Sequence, residues 1–296
     1  MTEILTLKRL NACSQQEFVS AMAEVFEHAP WVAQAVAAER PFENVDALHA
    51  AMLGKVLALH PEDLNKLLSG HPELAGVQAR MGQMTKDSAR EQGGLGLEAL
   101  SKQDLERWDA LNRTYKEKFG FPFILCISRH SRSSALKEFQ ARLTNDRQTE
   151  LRLALSEIGR ITRLRMGARI ADHGMLGLTG ILSTHVLDTA NGRPAEGVRV
   201  ALFELEGEGS RRLLVEATTD ARGRTAKPLL TGAPLRIACY ELVFHIGEYF
   251  LKTGNIKGDW PFLDVIPVRF SIKDPEGNYH VPLTVTPWSY STYRGQ

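Results

Sequence analysis

The hydrophobic period of this chain changes once along its length, and that change restricts it to two kinds of building block. Up to about Met166, apolar residues recur every three or four positions. Phe18, Met22, Val25 and Phe26 form one such stripe, and Leu48, Met52, Val56 and Leu59 the next. Leu105, Trp108, Leu111, Tyr115 and Phe119 continue it, followed by Leu136, Phe139 and Leu143, then Leu151, Leu155, Ile158 and Ile161. This spacing predicts amphipathic helices, broken at Pro30, Pro41, Pro61, Pro72 and Gly93-Gly94. Beyond about Gly180 the period is two: Val198, Val200 and Leu202; Tyr240, Leu242, Phe244 and Ile246; Val281, Leu283 and Val285. Turn residues separate these runs at Asn191-Gly192, Asp220 to Gly223 and Pro275 to Asn278, which predicts short antiparallel strands of a β-sandwich.

A chain of 296 residues is long enough for two such domains. The expected division is an all-α domain over 1–166, a glycine-containing linker over 167–179, and a β-sandwich over 180–296. Lys and Arg number 36 against 35 Asp and Glu, a net charge of +1 that favours neither nucleic acid nor an anionic membrane as main partner. Cys13, Cys126 and Cys239 are too few and too scattered for a disulfide framework or a cysteine-built zinc site. The opening MTEILTLKRLN has no apolar core of a signal peptide, and no apolar run approaches the roughly 20 residues of a membrane span. These features predict a soluble cytoplasmic protein with no membrane partner.

Three polar segments stand out in the β half: Leu182-Ser183-Thr184-His185-Val186-Leu187-Asp188, Thr219-Asp220-Ala221-Arg222-Gly223-Arg224-Thr225, and Tyr279-His280-Val281-Pro282-Leu283. The last leads to Pro287-Trp288-Ser289-Tyr290-Ser291-Thr292-Tyr293-Arg294-Gly295. A lone histidine on a strand is ordinarily structural, and His245 is read so, as a core or interface residue. Together, however, these segments resemble the 5-hydroxyisourate hydrolases, the enzyme branch of the transthyretin-like family, from the first strand to the end of the chain. The resemblance implies a transthyretin-like sandwich in which His185, Arg224 and His280 are catalytic and Tyr293 and Arg294 complete the substrate pocket. Neutral imidazole can activate water near neutral pH, and arginine supplies a permanent cation for the developing oxyanion. The family builds this pocket at a subunit interface of a tetramer, so the resemblance also implies a homo-oligomer formed through the sandwich. It usually ends Tyr-Arg-Gly-Ser, whereas Gln296 stands last here.

The helical half has its own polar motifs: Gly70-His71-Pro72-Glu73-Leu74-Ala75-Gly76, Ser88-Ala89-Arg90-Glu91-Gln92, and Lys118-Phe119-Gly120-Phe121-Pro122-Phe123-Ile124, with Asn145, Glu150, Glu157, Ile161 and Arg165 on the last helices. Taken singly, they have plainer readings. His71 would be a turn residue, Ser88-x-x-Glu91 a capping box, the three phenylalanines core, and Arg129, His130 and Arg132 a solvated loop. In this order they resemble the decarboxylases of 2-oxo-4-hydroxy-4-carboxy-5-ureidoimidazoline (OHCU). Decarboxylation without a cofactor needs a group that takes or shares the substrate hydroxyl proton and a site that fixes the carboxylate. The resemblance implies His71 as the principal catalytic group with Glu91 as its partner. Ser88 and Gln92, one helical turn apart, would hydrogen-bond the ureido and carbonyl groups beside Pro72, and Arg165 would clamp an anionic group. Neither metal nor cofactor is called for.

Hydrolysis of 5-hydroxyisourate produces OHCU, and decarboxylation of OHCU gives (S)-allantoin, so the two resemblances name consecutive steps in urate degradation. Their order along the chain resembles the fused allantoin synthases. The competing reading is a transthyretin-like binding or oligomerisation module joined to one active decarboxylase. The β-half histidines and the terminal Tyr-Arg-Gly argue against a carrier, because carriers of this fold lack them.

Overall fold

The structure is a computed structural model that describes residues 5–97, 100–175, 177–206, 210–256 and 258–295; Gln296 lies outside them. It comprises two compact units, Met1–Ser128 with Ala135–Leu178, and Arg129–Ser134 with Thr179–Gln296. Each has a hydrophobic core of its own. Among the described residues no helix is long and apolar enough to cross a membrane.

The first unit is built from α1 (Leu7–Ala12), α2 (Gln15–Met22), α3 (Trp31–Val36), α4 (Val45–Leu57), α5 (Pro61–Ser69), α6 (Val77–Arg80), α7 (Lys86–Gly93), α8 (Lys102–Phe119), most of α9 (Arg132–Arg142) and α10 (Arg147–Arg169). Side chains that accept from orphan backbone amides set their starts: Ser14 in a full capping box with Glu17, Asn44 before α4, Ser101 before α8 and Asp146 before α10. The buried faces are the apolar stripes of the sequence, converging on an aromatic cluster. Within it Tyr115 packs against Phe119, Phe121, Phe123 and Phe139.

Helix α10 runs past the expected boundary at 166 to Arg169, and Ile170, Met175 and Leu178 remain buried in the helical core. The stretch expected as a linker is thus partly helix and partly a segment packed back on it. Gly167 serves that packing, since a Cβ there would meet Leu178 Cδ1 at 2.4 Å. The expected solvated loop is also ordered. His130 is buried, Arg129 pairs with Glu276 at 2.7 Å, and the segment exchanges backbone hydrogen bonds with Ile237.

The second unit contains β1 (Ile181–Asp188), β2 (Arg193–Pro194), β3 (Arg199–Leu205), β4 (Arg211–Thr218), β5 (Ala238–His245), α11 (Ile246–Lys252), β6 (Val265–Ile272), β7 (Asn278–Val285) and β8 (Tyr290–Thr292). Two four-stranded sheets, ordered β2-β1-β7-β8 and β4-β3-β5-β6, form the expected sandwich around Val186, Val200, Leu202, Leu242, Phe244 and Leu283. All pairings are antiparallel except β1 with β7, which is parallel. The alternation expected to carry the Tyr240 strand, β5, through Ile246 stops at His245, where α11 begins. His245 is half-buried and accepts at Nδ1 from Arg199 Nη2 (2.9 Å), a structural role.

Candidate active sites

In the helical unit the candidate site starts where α5 ends. His71 follows the Gly70 cap, and its Nδ1–H donates to the Leu67 carbonyl at 3.1 Å. A carbonyl can only accept, so the proton sits on Nδ1 and Nε2 presents a lone pair. The loop after Pro72 turns sharply, with Ala75 at φ 53, a conformation that is costly for any residue with a Cβ. Side chains from other helices hold it there. Gln92 accepts from Ala75 N–H (3.0 Å) and donates to the Glu73 carbonyl (3.3 Å), while Asn112 donates to the Leu74 carbonyl (2.9 Å).

Thr85, rather than Ser88, caps α7, accepting from Ser88 N–H at 3.3 Å. The capping-box reading of Ser88 therefore does not hold, and the Ser88 side chain is left to face α10. There Arg165 is enclosed by acceptors. Its Nε and Nη2 grip Glu91 at 2.8 and 2.9 Å, Nη2 also donates to Ser88 Oγ (3.1 Å), and Nη1 donates to Glu27 (2.8 Å). His71, Pro72, Ser88, Glu91, Gln92 and Arg165 line one cavity, with Phe123, Ile124, Leu125 and Ile161 on its apolar side. All six residues expected from the sequence are thus brought together, but three do something other than expected. Arg165 directs its paired donors to Glu91, Glu91 faces Arg165, and Gln92 uses both ends of its amide on the loop.

Glu27 was not expected from the sequence. It lies just beyond α2, is 4% exposed, and accepts from Thr85 Oγ1 (2.7 Å) as well as from Arg165. Burial by itself would raise its pKa, yet the Thr85 hydroxyl and the Arg165 guanidinium reverse that and hold the carboxyl below its usual range. Burial keeps the His71 imidazole below the ordinary histidine value. Glu27 works against this, and Arg165 and His28 add to it.

In the β unit, Ser183, His185 and His280 share the outward face of the sheet. β1 and β7 are adjacent and parallel, with Ser183 opposite His280 and His185 opposite Pro282. Ser183 Oγ and His280 Nδ1 are hydrogen-bonded at 3.0 Å. Ser183 belongs to the Leu182–Asp188 motif, and its sequence signal is the two-residue spacing that puts it on the face of His185. Arg224 reaches the site through a tight turn in which Asp220 accepts from the amides of Arg222 and Arg224 at 2.9 and 3.2 Å. Gly223 is required there: its φ is 70, and a Cβ would lie 2.3 Å from the Val186 carbonyl. The turn lays Arg224 beside His185 as an antiparallel bridge.

His185 is held below its ordinary pKa by burial and then by Arg224, against the Arg222 carbonyl and Asp220. His280 is lowered by burial, Arg224 and His185. His185 Nε2 is buried without a hydrogen-bond partner. From the end of the chain, Gly295 N–H donates to the His280 carbonyl (2.8 Å), and a Cβ on Gly295 would meet His280 Cδ2 at 2.7 Å. Backbone, rather than the expected side chains, meets the histidine. Arg294 stacks on the Tyr279 ring at 4.8 Å, and Tyr293 is 59% exposed. Among the described residues of the chain, no group of three His, Cys, Asp or Glu side chains is placed to hold a metal ion.

Comparison with known proteins follows the same division. The OHCU decarboxylase family model matches residues 11–167, and the HIUase/Transthyretin family model matches residues 182–295. The β half is 53% identical over 114 residues to a 5-hydroxyisourate hydrolase of Deinococcus radiodurans, covering 38% of this chain and 94% of that protein. The helical half is 35% identical over 167 residues to a 2-oxo-4-hydroxy-4-carboxy-5-ureidoimidazoline decarboxylase of Haloferax volcanii, covering 56% of this chain and 97% of that one. The crystal structure of an (S)-allantoin synthase is similar from end to end, with 33% identity, a TM-score of 0.53, and coverage of 99% of this chain and 100% of the other.

Proposed function

Because the chain belongs to the OHCU decarboxylase family over its first half and to the HIUase/transthyretin family over its second, we propose that it is a bifunctional enzyme of urate degradation. The β half hydrolyses 5-hydroxyisourate to OHCU, and the helical half decarboxylates OHCU to (S)-allantoin. The observation that carries this reading is the end-to-end likeness to an (S)-allantoin synthase, with a histidine-centred site in each half.

For hydrolysis, the two imidazoles must be neutral to accept a proton from attacking water, and their lowered pKa values keep them so at neutral pH. Arg224, bridged to His185, would supply the cation that stabilises the oxyanion formed as water adds to the ring carbonyl. The complete hydrolase site belongs to a homo-oligomer. The outward sheet face supports this, with Trp288, Tyr290 and Tyr293 exposed and the His185 Nε2 unpartnered.

For decarboxylation, His71 Nε2 takes the substrate hydroxyl proton. The bond from ring carbon to carboxylate breaks, its electron pair passes into the ring imine, whose nitrogen takes a proton from solvent, and carbon dioxide leaves. The proton held on His71 is then returned to one face of the adjacent ring carbon as the deprotonated hydroxyl becomes the carbonyl, and that face sets the handedness of the product. Ser88 and the apolar wall hold the ring in the cavity, and the Gln92-anchored loop keeps His71 and Pro72 in register with it.

Circular dichroism during urate oxidation by added uricase tests the proposal. Rapid appearance of (S)-allantoin is expected. Faster loss of 5-hydroxyisourate with a lingering optically active intermediate would leave only the hydrolase, and no change would remove both activities.

A further inference from the structure

Glu27 is the buried carboxylate of the helical site that the reaction as described leaves unused. It accepts from Arg165, which lines the His71 cavity, and with His28, Trp31 and Lys66 it lines a second cavity. Its two oxygens are held from different elements, one by Thr85 at the start of α7 and one by Arg165 on α10. With Glu91 gripping the other edge of the guanidinium, one cation sits between two carboxylates.

We infer that Glu27 is a positioning residue for decarboxylation: by holding Nη1 of Arg165 it keeps the guanidinium from anchoring the substrate carboxylate and leaves the cavity with a net negative charge. The inference rests on the decarboxylase reading of this half. Its chemistry follows from the direction of the reaction. The substrate enters with a carboxylate and the departing carbon dioxide is neutral, the electron pair of the broken bond moving into the ring imine. A negative surround therefore disfavours the bound substrate more than the transition state, in which charge has left the carboxylate. A free arginine would do the opposite, stabilising the substrate and raising the barrier. The other charged groups nearby do not cancel this field. Asp87 is paired with Arg90 and Arg169, Lys66 with Asp63, and Lys116 with Glu73. His28 and His71 are the remaining titratable neighbours.

The test is Glu27→Gln in the full chain, an isostere that preserves the side chain's shape and its place in the second cavity. Because it removes the charge and releases one Arg165 donor, kcat is expected to fall on the order of tenfold or more. KM should fall with it, since the substrate carboxylate then meets a less negative site. Loss of the nearby carboxylate also makes His71 harder to protonate, so the acid limb of kcat/KM moves to lower pH. Unchanged kinetics, or a raised KM with the limb unmoved, would overturn the inference in favour of a merely structural role. Should this variant fail to fold, the native enzyme supplies the test. The product, which lacks the carboxylate, is expected to inhibit more tightly than the substrate binds, and weaker inhibition overturns the inference. His71→Ala and the native chain together separate the levels. If the variant decarboxylates normally, the role of His71 fails and the decarboxylase reading stands; the decarboxylase reading fails if the native chain does not decarboxylate OHCU, and if the native chain is active while Glu27→Gln behaves as wild type, only the role of Glu27 fails.

Discussion

The two halves present their histidines in opposite ways. His71 lines a cavity among helices, and its neighbours are locked by hydrogen bonds from α7, α8 and α10. His185 and His280 stand on the outer face of a sheet beside exposed aromatic side chains, one of them with a buried nitrogen that nothing meets. A pocket set between helices can take its shape from one chain's packing, whereas a sheet face must be covered before it excludes water. The contrast predicts that decarboxylation depends on internal geometry and hydrolysis on assembly.

The sharpest way to break the comparison is to cross two substitutions. His71→Ala should reduce decarboxylation by about 10²–10⁴-fold and leave hydrolysis intact, and His280→Ala should do the reverse. Separate spectroscopic assays of the two steps check this; if either variant lost both activities, the sites would not be independent. Dilution comes next. Specific hydrolase activity should fall at protein concentrations where sedimentation shows dissociation, while decarboxylase activity per chain stays constant. Equal behaviour of the two activities would remove the distinction.

Gly295→Ala should be smaller but still selective. The added methyl collides with the His280 ring, and an overpacking cost of about 1–3 kcal/mol displaces the chain or the imidazole. Steady-state kinetics should show roughly tenfold or greater loss of hydrolysis with unchanged decarboxylation. Arg224→Gln tests the electrostatics separately. Both β-half histidines are held down partly by Arg224, so its removal raises their pKa values. The acid limb of the hydrolase pH profile should then move upward. An unmoved limb would mean that neither histidine is the base. The smallest effect is Ser14→Ala, which removes the α2 capping box at a cost of about 1 kcal/mol to the helical half, read by denaturant unfolding, with both activities retained.

The periodicity of the sequence made the two architectures legible because each buries one face of a regular element. The polar motifs led to His71, Ser88, Glu91, Gln92 and Arg165, which the helical fold gathers around one cavity, and to His185, Arg224 and His280, which the sheet sets side by side. What could not be read was the pairing of their hydrogen bonds. An arginine in a motif looks like a substrate clamp, and only the fold reveals that Glu27, 138 residues away, already holds its third nitrogen. Glu27 itself follows Val25 and Phe26 at the end of an apolar stripe, where a charged residue ordinarily marks the turn to solvent. The parallel pairing of β1 with β7 was equally hidden, because alternation specifies which face is buried and not which way the neighbouring strand runs. The helix after β5 was missed because Ile246 extends the alternation by one residue before the chain turns.

The two hydrophobic cores are also two points of failure. A chain with separate cores has no single melting temperature, and conditions that open the helical core first would leave the β half at work. The cell would then hold an enzyme that manufactures an unstable acid and cannot finish it, leaving the last carbon dioxide to depart spontaneously and the allantoin without a hand. Optical purity of the product, followed as the temperature rises, would therefore report the melting of one half of the molecule through the chemistry of the other.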